Sequence, residues 1–464
     1  MKKWYDTGNT GFVKYGTRVL NYREIDEQSD HLSRVLFASG IGEGDVILSM
    51  VKSPLDNVIL FFAVLKSGAI LFPVNPEIEQ SLYDHVINNA KPKLIVSDFK
   101  RDGISFESLR NMNVSDQKLN SHQEYNTKRT VLTLLTGGST GTPKGAEISE
   151  DAIMWNAFNT VLTWGISSGD RTLVCMPLYH TGGWNILLIP TLVAGGNVIF
   201  SENNFDPTEI IKLIDQERIT IFMGVPTMYE KLVGCSEFYK KDLSEVRMIS
   251  GGGKLRNETF EKLLEKNIKV FQGYGLTEAG PNNFYISPEN QKKFPDSVGT
   301  PCIFVDVKLA EDGELLIRGN HLFSRYMFGS DSDPVEKDGF FRTGDIFRKN
   351  EYGYYFFVQR KKNVIKTGGE NVYATEVEDA LLSLPYVVDC SVIGRPDNYW
   401  GEIVVAFVRT NENKTENTIR NDLRIKLSGY KIPKKIIFVE SIPRTGVGKV
   451  SREELVKLYE KSIH

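Results

Sequence analysis

Short, wholly apolar runs alternate along this chain with capped amphipathic helices, and that alternation leaves few architectures open. Asn21-Tyr22-Arg23-Glu24 has the form of a capping box, with Leu20 and Ile25 placed as a hydrophobic staple. Ile25, Leu32, Val35 and Leu36 then recur as one buried helical stripe. Gly40 and Gly42 close that unit, and Val46-Ile47-Leu48 reads as a buried strand. Ser53-Pro54-Leu55-Asp56 starts a second helix with proline in its first position, and Gly68 stops it before the strand Ile70-Leu71-Phe72. Asp206-Pro207-Thr208-Glu209 repeats the device ahead of Ile210, Ile211, Leu213 and Ile214, with a strand from Ile219 to Val225. Strands with no polar face must be covered on both sides, so the predicted fold is α/β, with mostly parallel sheets flanked by helices.

The texture changes after about residue 300. Phe340-Phe341, Tyr352, Tyr354 to Phe357 and the turn-forming Asp338-Gly339 predict short antiparallel strands, a small β-barrel-like part. The polar break Gln359-Arg360-Lys361-Lys362-Asn363 divides the chain into a large domain, 1–361, and a small α+β domain, 362–464. The latter reads helix (Thr375 to Leu384), strand (Val387 to Ile393), strand (Ile403 to Val408), helix (Thr418 to Leu427), strand (Ile436 to Val439). No fixed-period repeat interrupts this pattern.

A hydrophobic share of 41% and a charged share of 25% suit a globular protein and exclude a disordered one. With 56 basic and 59 acidic residues the net charge is −3, which argues against nucleic acid as a partner. Four dispersed cysteines fit a reducing compartment. The apolar run Val58 to Leu65 is far short of the ~20 residues that span a bilayer, and Met1 to Asp6 lacks a secretory signal. A cytoplasmic enzyme without a membrane span is expected; peripheral membrane association and homodimerisation stay open.

The stretch Thr136-Gly137-Gly138-Ser139-Thr140-Gly141-Thr142-Pro143-Lys144-Gly145 follows the apolar strand Val131 to Leu135. Bare backbone amides, hydroxyls and one lysine make it a loop able to approach phosphate. It is not a Walker A loop, because Pro-Lys-Gly stands where Gly-Lys-Ser/Thr is required. Taken alone, a glycine-rich surface turn is equally compatible. Residues 137–141 also fit G-x-S-x-G, the elbow of a serine acyl hydrolase with Ser139 as nucleophile. That reading requires a helix directly behind Ser139 and a histidine further on. Only His180, His321 and His464 follow.

Three further segments end predicted strands. Met176 to Trp184 carries His180 between aromatics and Gly182-Gly183; alone, such a histidine reads as structural. Gly251-Gly252-Gly253 offers bare backbone to a flat ring. Gln272-Gly273-Tyr274-Gly275-Leu276-Thr277-Glu278 offers an aromatic face and a carboxylate suited to Mg²⁺. Loops at strand C-termini are where α/β sheets bind ligands.

Together, and in this order, these segments resemble the acyl-adenylate-forming superfamily: acyl- and aryl-CoA ligases, firefly-type luciferases and peptide-synthetase adenylation domains. The resemblance runs from the Tyr22 helix to Arg452. Residues 136–145 match the phosphate loop, with Gly137 in place of a serine. His180 matches the aromatic-site histidine, Gly251 to Gly253 the adenine loop and Tyr274 to Glu278 the Y-G-x-T-E segment. Thr343-Gly344-Asp345 matches the T-G-D whose aspartate holds the ribose. Arg360 matches the hinge arginine, and Lys362 the hinge, where many relatives have aspartate. Lys366, Gly368, Gly369 and Glu370 match the segment entering the site for thioester formation. Pro443 to Lys449 matches the P-R-T-x-x-G-K tail, with Lys449 the catalytic lysine.

The resemblance implies a large adenylate-forming domain and a small mobile one. It also implies ATP and coenzyme A as co-substrates, and Mg²⁺ held by Glu278 and Thr140. Lys449, Thr140, Glu278 and His180 become the expected catalytic residues. ATP and AMP are expected on Thr136 to Thr142, Lys144, Gly251 to Gly253, Gln272 to Gly275, Thr277, Asp345, Arg360 and Lys449. His180, Gly183, Trp184, Met223 and Val225 are expected around the acyl chain. The segments Trp184 to Pro190 and Ile221 to Met228 carry no charge, which favours an apolar carboxylic acid over an amino acid, whose ammonium would need a partner. A medium- or long-chain fatty acid is the leading expectation, an aryl or o-succinylbenzoate-type acid the alternative. Asn282, Asn283 and Phe284 follow the Glu278 loop and could read a polar or aromatic tail of the acid. An ATP-binding pseudoenzyme is disfavoured by the presence of Glu278, Asp345 and Lys449 together.

Overall fold

The computed structural model describes residues 4, 6–99, 101–114, 126–136, 143–202, 205–328, 335–444 and 450–462. They form two compact units, one of Met1–Val307 with Ile317–Phe341, the other of Lys308–Leu316 with Arg342–His464. No described helix is long and apolar enough to cross a membrane.

Two sheets build the first unit. One has six strands in the order β17 (Arg325–Tyr326), β7 (Lys144–Ser149), β6 (Thr130–Thr136), β4 (Ile70–Pro73), β3 (Val46–Met50), β5 (Leu94–Ser97). Its β4, β3 and β5 are parallel, as is β6 beside β4, while β7 turns back antiparallel on β6. The second has nine: β14 (Thr300–Pro301), β13 (Phe284–Ile286), β12 (Lys269–Tyr274), β11 (Arg247–Ser250), β10 (Ile221–Gly224), β8 (Arg171–Val174), β9 (Asn197–Phe200), β1 (Phe12–Tyr15), β2 (Arg18–Asn21). From β12 to β1 all neighbours are parallel.

Local chemistry sets the helices between these strands. Asn21 and Glu24 form the reciprocal cap of Tyr22–Ala38, and the stripe Ile25, Leu32, Val35 and Leu36 is buried. Ser53 caps Pro54–Ser67 through the Asp56 amide, and Gly68 ends it at φ +80°, a conformation that suits glycine. Asp206 caps Pro207–Gln216.

The second unit holds most of a four-stranded sheet, β15 (Asp306–Leu309), β16 (Glu314–Arg318), β18 (Phe341–Lys349), β19 (Tyr355–Arg360), which is the β-rich part anticipated after residue 300. It also holds a five-stranded sheet, β21 (Glu370–Tyr373), β20 (Val364–Thr367), β23 (Gly401–Thr410), β22 (Val387–Asp397), with β24 (Lys435–Phe438) beside β23. Along β23 the two-residue period is plain. Val404, Ala406 and Val408 pack against helices Ala374–Leu382 and Glu416–Arg424, whereas Val405 and Phe407 pack against helix Arg452–Lys461. The polar break after residue 358 is more ordered than its composition suggests. Gln359 lies inside β19, buried, its Oε1 accepting the Ala374 N–H at 2.8 Å, and only Lys361–Asn363 is a tight turn.

Candidate active site

In the first unit, parallel register brings the predicted loops to one edge. Gly224, Ser250 and Gln272 are aligned partners across β10, β11 and β12; β10 and β11 end at this level, and β12 runs two residues further, to Tyr274. A Cβ on Gly251 would lie 3.5 Å from Met223 Cε, and one on Gly252 3.7 Å from Val225 Cγ1. The three-glycine loop therefore rests on two of the residues expected around the acyl chain. Beneath it lies an apolar cluster of Ile186, Leu187, Ile221, Met223 and Ile249, with Met176, Phe271 and Tyr285 packed against it.

The turn after β12 is sterically determined. An ideal Cβ on Gly275 would sit 2.0 Å from the Pro281 carbonyl oxygen, and one on Gly273 2.8 Å from that of Phe284. Only glycine permits this fold-back, which carries Thr277 and Glu278 on a single 3-10 turn and leaves Tyr274 edge-on to Phe284. Asn282, Asn283 and Phe284, which could read the acid's tail, are buried, and both amides are bonded within the protein. Asn282 donates to Thr160 Oγ1 at 2.5 Å, and Asn283 donates to the Gly280 carbonyl at 2.6 Å and meets His321 Nε2 at 2.8 Å. Their amides hold the turn because the chain there enters strand β13 inside the sheet.

His180 follows β8 in a tight turn, its N–H bonded to Pro177 O and its carbonyl to Gly183 N–H. Gly183 is required, since a Cβ there would lie 2.3 Å from Pro177 O. Trp184 is fully buried; its indole N–H donates to the Leu178 carbonyl and its ring packs 5.0 Å from Phe61. That is the placement of a core residue supporting the turn.

Thr136 and Lys144 face each other across β6 and β7 and flank the phosphate-loop residues. Gly137, Gly138, Ser139, Thr140, Gly141 and Thr142 lie outside the described residues, as does Lys449. The hydrolase alternative fails on its flank. The hydrolase reading requires a helix behind Ser139, and among the described residues there Lys144–Ser149 is a strand. His321 is buried and bonded, its pKa pushed down to about 4 by desolvation. Tyr326 carries no signal in the sequence. Tyr326 donates to Glu278 Oε1 at 3.1 Å while its ring lies 4.5 Å from Lys144 Nζ. Nothing local in the sequence marks it; it is brought there by β17 pairing with β7.

The second unit gathers a separate group. Asp345 and Arg360 are cross-strand partners of β18 and β19, with Arg360 Nε 2.8 Å from Asp345 Oδ1 and the carboxylate 1% exposed. Thr343 Oγ1 donates to Leu315 O, and Gly344, at φ +70°, donates its N–H to Glu314 Oε1. Buried Glu314 also takes Arg342 at 2.7 Å and Lys361 at 2.8 Å, a role the sequence did not signal. Lys362 lies in the adjoining turn, and desolvation, followed by the charges of Arg360 and Arg452, lowers its pKa. Gly368 (φ +58°) and Gly369 (φ +86°) form the two-residue turn joining β20 to β21, between Lys366-Thr367 and Glu370-Asn371. The N–H of Gly368 is bonded to Trp400 O.

As to magnesium, no three His, Cys, Asp or Glu residues gather among the described residues. A single hard carboxylate, Glu278, fits an ion that takes its other ligands from phosphates and water.

A glycine-lined edge of a parallel sheet with one carboxylate, beside a β6–β7 hairpin, defines a nucleotide-using α/β protein. Residues 2–327 match the AMP-binding enzyme family and residues 376–449 the AMP-binding enzyme C-terminal domain. The chain belongs to the AMP-binding enzyme family. A feruloyl-CoA synthase of an Amycolatopsis species is 30% identical over 468 residues, covering 96% of this chain and 94% of the relative. An indoleacetate–CoA ligase of Aromatoleum aromaticum is also 30% identical, with the same coverage of both chains. The crystal structure of ATP-bound MatB from Rhodopseudomonas palustris matches with a TM-score of 0.90 at 26% identity, over 98% of each chain. Like these relatives, the chain is an acid–thiol ligase of the AMP-forming kind.

Proposed function

We propose that this enzyme joins an apolar carboxylic acid to coenzyme A in two steps. A carboxylate oxygen of the acid attacks the α-phosphorus of ATP; the bond to the β-phosphate bridging oxygen breaks and pyrophosphate leaves. The thiol of coenzyme A then loses its proton and attacks the acyl carbon, and the bond to AMP breaks. Neither step requires a side-chain nucleophile, so positioning and charge stabilisation carry the catalysis.

The observation that carries this reading is the shared register of Gly224, Ser250 and Gln272. It supports adenine against Gly251 to Gly253 and Tyr274, with the acyl group over Met223 and Val225 next to His180 and Gly183. Glu278 and Thr140 are assigned to Mg²⁺, which when bound draws charge from the phosphoryl oxygens. Lys144 and the 136–142 loop are assigned to the phosphates, Asp345 and Arg360 to the ribose. Lys362 is assigned as the hinge between domains 1–361 and 362–464. Lys449 serves adenylation, and Lys366 to Glu370 the thioester step.

The aliphatic lining favours a medium- or long-chain fatty acid. A second reading, an aryl acid, is favoured by the feruloyl and indoleacetate substrates named for two relatives and by the near-parallel rings of Phe271 and Tyr285, 5.9 Å apart. A panel of fatty, cinnamic and arylacetic acids with ATP and coenzyme A, read by AMP release, decides between them. AMP release with no acid of any class would overturn the ligase reading.

A further inference from the structure

We infer that Tyr326 is a positioning residue that sets the Glu278 carboxylate for Mg·ATP and aligns Lys144 with the same phosphates. This rests on the ligase reading above and extends it to a residue outside the recognised motifs.

The placement is indirect but tightly determined. Strand β17 is two residues long, with Arg325 opposite Glu147 and Tyr326 opposite Ala146 on β7. Arg325 Nε lies 2.6 Å from the buried Glu147 carboxylate, which anchors the register. Two neighbouring backbone bonds reinforce it, Ser324 N–H to Glu147 O and Met327 N–H to Gly145 O. With that register set, Tyr326 falls on the face of β7 shared by Ala146 and Lys144, because alternate residues of a strand point the same way.

Its two ends then do different things. The ring lies 4.5 Å from Lys144 Nζ, a cation–π distance that holds the ammonium at the base of the phosphate loop. The hydroxyl donates to Glu278 Oε1 at 3.1 Å, while the Phe323 N–H reaches the Glu278 carbonyl at 2.8 Å. The segment 323–326 thus grips Glu278 by main chain and side chain together. One carboxylate oxygen is occupied by a neutral donor, which orients the other for a hard cation without adding charge. Such an arrangement keeps a lone carboxylate from swinging when no metal is bound.

The test uses the full chain with Tyr326→Phe, which keeps the ring and removes the hydroxyl, and Tyr326→Leu, which removes both. ATP binding is measured by calorimetry with Mg²⁺ and with EDTA, alongside the Mg²⁺ dependence of pyrophosphate exchange and a thermal melt. For Tyr326→Phe, Mg·ATP affinity should fall about tenfold, the effect of losing one hydrogen bond to a charged group, with metal-free ATP binding and the melt unchanged. Tyr326→Leu should weaken metal-free ATP binding as well, through Lys144. Wild-type Mg·ATP affinity in Tyr326→Phe, or equal weakening with and without metal, overturns the inference. Absence of ATP binding in the wild type would instead overturn the ligase reading.

Discussion

Arg360 Nε lies 2.8 Å from Asp345 Oδ1, and the two residues face each other across strands β18 and β19. The aspartate side chain is 1% exposed and the arginine 46%, so the pair is a buried anion closed on one side by a cation that reaches solvent. Two residues assigned to nucleotide binding therefore also stabilise each other within one sheet.

Removing the arginine takes one cation away from a buried carboxylate. Arg360→Ala should lose ~1–3 kcal/mol of stability, the cost of removing a charged donor from a buried carboxylate, as read by urea denaturation at neutral pH. Arg360→Lys should recover part of it. Equal stability of Arg360→Ala and the wild type would show that the pair contributes nothing.

Gly275→Ala tests the geometry of the turn bearing Glu278. The added methyl carbon would stand 2.0 Å from the Pro281 carbonyl oxygen, a backbone atom that cannot rotate away. The turn must then open, and adenylation should fall by at least ~100-fold with the overall circular dichroism spectrum retained. Pyrophosphate exchange at wild-type rates would mean the turn tolerates the displacement.

Glu378 gives a pH signature in the second unit. Desolvation raises its pKa to about 7, against the lowering effects of the Val392 N–H, Arg452 and Ser391. Because the folded-state value exceeds the unfolded one, the folded state binds the proton more tightly. The group's stabilising contribution is complete below pH ~4.5 and is lost as pH rises through about 7. Glu378→Gln keeps an oxygen for Val392 and Ser391 but cannot ionise. Its melting temperature should match the wild type near pH 5 and exceed it near pH 8. A constant difference between the two proteins across that range would remove Glu378 as the source.

Lys449→Ala addresses the division of labour between half-reactions. Acyl-AMP formation, followed by pyrophosphate exchange, should be abolished, while thioester formation from supplied acyl-AMP and coenzyme A should continue largely intact. Equal loss in both half-reactions would argue against alternation about Lys362.

Much of this is legible in the sequence. The caps at Asn21, Ser53 and Asp206 are local, since each side chain bonds an amide two or three residues away, and the corresponding helices form as read. Apolar strands announce their own burial, and the order of the glycine-rich segments carried the family. Boundaries were less legible. β22 extends four residues past the predicted Ile393, because its long antiparallel pairing with β23 continues through residues of ordinary polarity. Helix Arg452–Lys461, with only Leu455 fully buried, presents too thin an apolar stripe to be found by pattern.

Polar residues were read least well. Asn282 and Asn283 look like recognition groups in a sequence, yet their partners Thr160 and His321 are 122 and 38 residues away, and only the packed sheet satisfies them internally. Tyr326 is the converse, an unremarked residue drawn to Lys144 and Glu278 by a two-residue strand pairing across 178 positions. The linear chain determined which segments could be helix, strand or glycine-rich turn, because those choices depend on contacts within a few residues. Which polar groups turn inward and which meet at the site was decided by tertiary pairing, because a hydrogen bond or ion pair exists only once the sheets have set its distance.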